Sequence, residues 1–485
     1  MKRLLILSLS LLFLASSCSN DDNEVPQNID VQNFIWKGLN LFYFWQADVP
    51  NLADDKFATQ DDLNKFLANS SSPEQLFDDL LFDTQNTDKY SWIVDDFIAL
   101  EQQFQGISKS NGVEFGLVQL SGNNDVFGYV RYILPNSNAS TKDIERGDLF
   151  LEVDGQQLTI DNFRDLLFGT NDSYSLGLAE INNSNISLTG EIVDLTKETY
   201  TENPVFIVKS FDIASKKIGY LMYNAFTSNF DQQLNDAFAQ LKAEGVTELV
   251  LDVRYNGGGS VRSATQLSSM ITGQFNGQLF TRENWNAKLQ EAFEQQNPGA
   301  LINNFTNQLS DGTTINSLNL TKLYILVTGR SASASELVIN GLKPYIDVKL
   351  IGTKTVGKYV ASVTLYDSDN FTRSGANPNH TYAMQPIVLE ELNKLDENDK
   401  DGFDPDILLA EDFENLGTLG DEDEPLLQKA LNDIIGVKTS ALNNKSLFYM
   451  LNEISDSKAI LPLYNEMYLE KELKFKKILM TDANR

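Results

Sequence analysis

The chain has 485 residues, 42% of them apolar, and a formal charge of −30. That length exceeds one ordinary domain, and that apolar share is enough to fill real cores. The acidic balance argues against nucleic acid and against anionic lipid head groups as partners, and it says nothing about fold.

Residues 1–18 read as a lipoprotein signal: Lys2 and Arg3, an apolar run from Leu4 to Ala15, then Ser16 and Ser17 before Cys18. The run is too short for a transmembrane helix. Cys18 is the one cysteine, which excludes intrachain disulfides and leaves its thiol free for lipid attachment. Residues 19–30 begin Ser-Asn-Asp-Asp-Asn-Glu, a solvated acidic tether that resembles the export signals of some Bacteroidetes-type lipoproteins. The expectation is an envelope lipoprotein at the outer membrane, held by lipid alone, facing the periplasm or the cell surface.

Residues 31–103 read as a helical region. Phe34, Ile35, Leu39, Phe42 and Trp45 form an aromatic-rich stripe suited to core packing, and Thr59 and Ser72-Pro73 open further helices. From 104 to 200 the period changes to short alternating strands. Phe115-Gly116-Leu117, Ile133 to Ala139 and Arg146 to Gly155, closed by a short helix near 161–168, resemble the core of a PDZ domain. That resemblance implies that backbone N–H groups around Phe115, Gly116 and Leu117, in an apolar-Gly-apolar loop, hold the carboxylate of a peptide added as a strand. Asn138 stands where bacterial relatives usually carry proline.

Residues 205–435 read as α/β. Thr247 to Arg254 is a strand buried on both faces, and it runs into Asn256-Gly257-Gly258-Gly259. Residues 275–320 form a polar, helix-leaning insert expected over the cleft. Leu323 to Val327 is a further buried strand, Leu337 to Tyr345 is helical, and Ser331-Ala332-Ser333-Ala334-Ser335-Glu336 lies between them. Ser333 and Glu336 stand in capping-box register, which by itself needs no chemistry. A serine where strand hands over to helix also becomes a nucleophile if a base is in reach. The single histidine, His380, sits in a polar turn, and no nucleophile-elbow motif supports a triad built on it. Lys358, in Thr355-Val356-Gly357-Lys358 between two apolar runs, serves as a base if burial lowers its pKa.

Ser-Ala-Ser-Ala-Ser-Glu, followed 25 positions after Ser333 by the lysine of Thr-Val-Gly-Lys, resembles the signature of the carboxyl-terminal processing peptidases, or tail-specific proteases. The resemblance extends from about residue 31 to about 435. It implies Ser333 as nucleophile, Lys358 as base, and backbone N–H groups of Gly258 and Ala334 as the oxyanion hole, with Glu336 as support. Tyr255 and Gly257 depart from the family's glycine block, and Ser362 stands where a lysine-orienting glutamine is usual. The implied fold is α/β: a crotonase/ClpP-like catalytic domain, a PDZ-like β-rich domain and an N-terminal helical region. The implied function is a serine endopeptidase acting near the free C-terminus of a protein or peptide, with no cofactor. The alternative is a non-catalytic peptide-binding envelope lipoprotein.

Glu397, Asp399, Asp401 and Gly402 echo a calcium loop, but Leu408 stands where its closing glutamate belongs, so the expectation is a solvated loop and no metal. Ser455-Asp456-Ser457-Lys458 and Ser368-Asp369-Asn370 echo penicillin-recognising enzymes in the wrong order and without Lys-Thr-Gly. Residues 436–485 read as a helical extension.

Overall fold

The computed structural model describes residues 26–120, 122–182, 185–437 and 453–470. The leader, Cys18 and most of the tether lie outside these residues. No helix among the described residues is long and apolar enough to cross a membrane.

The first helix, Asp30–Phe42, buries Phe34, Ile35, Gly38, Leu39 and Phe42, one face at helical spacing. Thr59 and Ser72 cap the helices Gln60–Leu67 and Pro73–Asp79 by accepting from Asp62 N and Gln75 N. The aromatic stripe is core, and it merges with that of the α/β region, Phe42 and Leu52 sharing one cluster with Leu251 and Phe280. A β-carbon on Gly38 would lie 1.9 Å from Met384 Cε, so the glycine lets the methionine side chain of the strand Ala383–Gln385 pack directly on this helix.

A β-rich module follows, built on the strands Val113–Gln119, Val126–Ile133, Leu149–Val153, Ser173–Asn182 and Asn185–Thr196. The short helix Phe163–Phe168 closes its separate core around Phe115, Leu117 and Phe150. Phe115-Gly116-Leu117 lies inside the strand Val113–Gln119, as the alternating period from 104 onward leads one to expect, and not in the separate loop that the PDZ resemblance implied.

The α/β region centres on a six-stranded sheet. Val205–Ile213 pairs antiparallel with Lys216–Tyr223, and Glu248–Asp252, Lys322–Val327, Asp347–Gly352 and Ile407–Leu408 continue it in parallel. Alternate residues face opposite cores. Leu249 and Leu251 pack with Phe238 and Leu267 of the helices Asp231–Ala243 and Val261–Thr272, and Val250 packs with Leu427 of Pro425–Ile434. Fully burying each leucine is worth about 1.5–3 kcal/mol.

Two expectations are corrected. Residues 275–320 are mixed rather than helix-leaning, with the strands Leu279–Trp285 and Ile302–Asn304 around the helix Ala287–Gln296. Their loop docks on the first helix, where Asn286 Nδ2 donates to Leu41 O at 2.9 Å. The described tail, 453–470, is strand and turn rather than helix: Glu453–Asp456 joins the β-rich module, and Met467–Tyr468 lies between Gly259–Ser260 and Val360–Ser362. A helix would satisfy this backbone internally; here two sheet edges satisfy it instead.

Candidate active site

Three loops converge because three neighbouring parallel strands end side by side. Glu248–Asp252 leads to the glycines, Lys322–Val327 to Ser333 and Asp347–Gly352 to Lys358. Carboxyl ends of parallel strands are where open α/β sheets build sites.

Ser331 Oγ donates to Val253 O at 2.8 Å and Ser335 Oγ to Asn256 O at 3.0 Å, so both side chains fasten this segment to the glycine loop. Ser333 Oγ, between them, is buried with no hydrogen-bond partner among the described residues. Ser333 caps the helix Ala334–Leu342 with φ 62° and ψ −114°, in place of the extended backbone usual at a helix cap. Strain of this kind in a non-glycine residue costs about 1–3 kcal/mol and concentrates at functional sites. Although the pair stands in capping-box register, the bond observed is Ser333 N donating to Glu336 Oε2 at 2.8 Å.

Glu336 also accepts from Lys358 N at 2.9 Å, Gly357 N at 2.7 Å and Thr355 Oγ1 at 2.6 Å. One buried carboxylate thereby locks the serine segment to the lysine segment. Burial raises its pKa, against four donors that favour the charged form.

Lys358 is 1% exposed, and its Nζ stands 3.1 Å from Glu466 Oε2 and 4.7 Å from the centre of the Tyr90 ring. Burial pulls the ammonium below its ordinary range, while Glu466, then Asp88 and Glu336, pull the other way. Glu466 Oε2 also accepts from Trp92 Nε1 at 3.1 Å. The lysine pocket is thus walled by the N-terminal region and by the tail. Sequence reasoning missed Tyr90, Trp92 and Glu466, whose only local signal is an aromatic and an acid in segments without motifs.

Ser362 Oγ donates to Glu466 and to Met467 O at 3.1 Å, and it accepts from Gln385 Nε2 at 3.0 Å. It bears on Lys358 through Glu466, and the buried Gln385 comes from another strand.

A β-carbon on Gly258 would sit 2.7 Å from Ser333 Cβ and 2.5 Å from Glu466 O, so a side chain is excluded there, where φ is already +116°. Gly258 N donates to Asn256 Oδ1 at 2.9 Å. Ala334 N, the first of its helix, has no acceptor among the described residues.

His380 Nε2 is spent on Asp367 Oδ2 at 2.9 Å. Among the described residues no group of His, Cys, Asp and Glu has the arrangement to hold a metal. The loop at Gly402 instead packs its backbone on the lysine turn, where a β-carbon would meet Thr355 O at 2.3 Å.

Arg254, wholly buried, pairs with Asp252 at 2.8 Å, Glu424 at 2.6 Å and Glu411 at 3.1 Å. Tyr255 OH donates to Glu411 and accepts from Arg146 Nη1 at 2.9 Å, which ties the β-rich module to the base of the glycine loop. The departure at Tyr255 is therefore a bridge between modules.

The model of peptidase family S41 matches residues 217–407, and that of the peptidase S41 N-terminal domain matches residues 30–92. A chloroplastic C-terminal processing peptidase of Tetradesmus obliquus is 27% identical over 285 residues, 56% of this chain and 56% of that protein. The carboxyl-terminal-processing protease of Picosynechococcus sp. is 25% identical over 315 residues, 62% of this chain and 64% of that protein. The chain thus spans between half and two thirds of these relatives. A crystal structure from Bacteroides fragilis, assigned by name to the S41 proteases, shares the fold with a TM-score of 0.64 at 24% identity, over 84% of this chain and 98% of that one.

Proposed function

Because the chain belongs to peptidase family S41, we propose that it is a serine endopeptidase with Ser333 as nucleophile and Lys358 as base. The observation that carries this reading is the one free hydroxyl of the serine run, on a strained cap joined to the lysine turn through Glu336.

In the proposed reaction, neutral Lys358 takes the proton of Ser333 as Oγ attacks the scissile carbonyl. Ala334 N–H and a glycine-loop N–H stabilise the oxyanion, each donor worth roughly 3–4 kcal/mol. For Gly258 that requires giving up Asn256 Oδ1. The lysine returns the proton to the leaving amine, and water releases the acyl-enzyme. The substrate is a protein or peptide tail with a free C-terminus, bound as an added strand along Val113–Gln119 of the PDZ-like module. Cys18 anchors the enzyme to the outer membrane, facing the periplasm or the cell surface.

The test is covalent labelling by a serine-reactive fluorophosphonate together with hydrolysis of a fluorogenic peptide. Ser333→Ala should abolish the adduct, and either Ser333→Ala or Lys358→Ala should lower kcat/KM by roughly a thousand-fold or more. Full activity in either variant overturns the assignment. A second reading, a peptide-binding lipoprotein without catalysis, draws on the pairing of Lys358 with Glu466, which favours the ammonium form. It predicts tail-peptide binding with no adduct under any condition.

A further inference from the structure

The described tail threads both the β-rich module and the cleft. Glu453–Asp456 adds antiparallel to Val113–Gln119, Ser455 opposite Leu117 and Asp456 opposite Gly116. Ser457 N donates to Phe115 O at 3.0 Å, and Ser457 Oγ accepts from Phe115 N at 3.3 Å. This is strand addition to an open edge, performed by the chain on itself. Arg131 and Arg330, one from each module, hold the segment through Glu453 and Asp456.

Farther along, the tail lies over the reacting atoms. Asn465 packs on Gly257, and Glu466 O accepts from Gly259 N at 2.6 Å. The β-carbon position of Gly258 is 2.5 Å from Glu466 O and 3.0 Å from Ser333 Oγ, so these two oxygens are at most the sum, 5.5 Å, apart. A main-chain carbonyl is thus held by the glycine loop beside the serine, as a bound peptide's would be. The carboxylate of the same residue sits 3.1 Å from Lys358 Nζ. Met467–Tyr468 then fills the sheet between Gly259–Ser260 and Ser362, and Glu470 fastens the exit to Ser260 Oγ at 2.6 Å and Arg262 at 3.0 Å.

We infer that residues 453–470 are the chain's own pseudosubstrate, seated along one peptide track from Phe115 to Ser260, covering Ser333 and pairing Lys358 with Glu466 until a substrate tail displaces them. The seating stands on geometry alone; its inhibitory consequence rests on the Ser333–Lys358 reading.

Two substitutions in the full chain test it. Glu466→Gln removes the carboxylate charge that faces Lys358 Nζ, and Ser457→Pro removes a strand donor and the hydroxyl that faces Phe115 N, touching neither Ser333 nor Lys358. Each should raise the rate of fluorophosphonate labelling roughly ten-fold over wild type, as expected when a competent state is freed from a competing one. Glu466→Gln alone should also move the basic limb of the labelling profile to lower pH, since Glu466, Asp88 and Glu336 are the carboxylates that hold up the lysine, with Tyr90 against it. A merely structural role for Glu466 would slow labelling and leave the limb in place. Independently of catalysis, a fluorescent peptide of residues 453–470 should bind Ser457→Pro at least roughly ten-fold more tightly than wild type, whose track is filled. Measurable labelling at an equal rate in all three chains, or equal peptide affinity, overturns the inference. Peptide binding as expected with no labelling of any chain would sink the serine reading and leave the seating standing.

Discussion

Ser333 and Lys358 are made different from their neighbours by what they lack and what surrounds them. Of three serines in one run, two spend their hydroxyls on Val253 and Asn256 carbonyls, and only Ser333 keeps a free oxygen on a strained backbone. Under the proposed mechanism, in which the base is the neutral amine, activity should rise with pH, because burial lowers the lysine's pKa; a profile of kcat/KM that falls through the alkaline range would contradict this. Between that lowered pKa and the ordinary value of 10.5 the unfolded chain binds the extra proton, so this group makes stability rise with pH across that window. Glu336→Ala should cost about 1–3 kcal/mol in urea unfolding by stranding buried donors, and it should also lower kcat by freeing the two segments. Gly258→Ala should abolish activity, since its methyl would meet Ser333 Cβ at 2.7 Å.

At the scale of elements, the pair is placed by three parallel strands that end together and by a carboxylate that staples two of the loops after them. The strand Lys322–Val327 and the helix Ala334–Leu342 are legible from sequence within a few residues, because apolar period is a local property. The tail is not legible in that way. Its acidic and basic residues suit an exposed helix, yet Ser455 and Asp456 are buried as an added strand, a choice made by a sheet edge elsewhere in the chain. The bridge through Tyr255 belongs to this scale too. Tyr255→Phe should cost about 1–3 kcal/mol in urea unfolding, because it leaves Glu411 and Arg146 each short of a buried partner.

Over the whole molecule, the N-terminal helices, the α/β sheet and the tail share one continuous interior, so the lysine pocket exists only in the assembled chain. The same assembly buries the Arg254 cluster between modules. Burial alone would raise Glu411, but Arg146 and Arg254 outweigh it and hold it at about 2, below the ordinary 4.5. Between those values the unfolded chain binds the proton and the folded one does not. Stability supplied by this group is therefore complete above about 4.5 and is lost as pH falls toward 2. Thermal unfolding at stepped pH should show that acid limb in wild type and a flattened one in Glu411→Gln.

The order of strand and helix, the serine run and its spacing from Lys358 follow from the sequence alone, because they depend on neighbours a few positions away. Which hydroxyl stays free, what charge faces the lysine and where the tail lies were decided only by the tertiary structure. Glu466 stands 104 positions after Ser362 and 374 after Trp92, and it meets both in one pocket. Local pattern carries no record of such meetings, since they are set by how sheets and their edges close on one another.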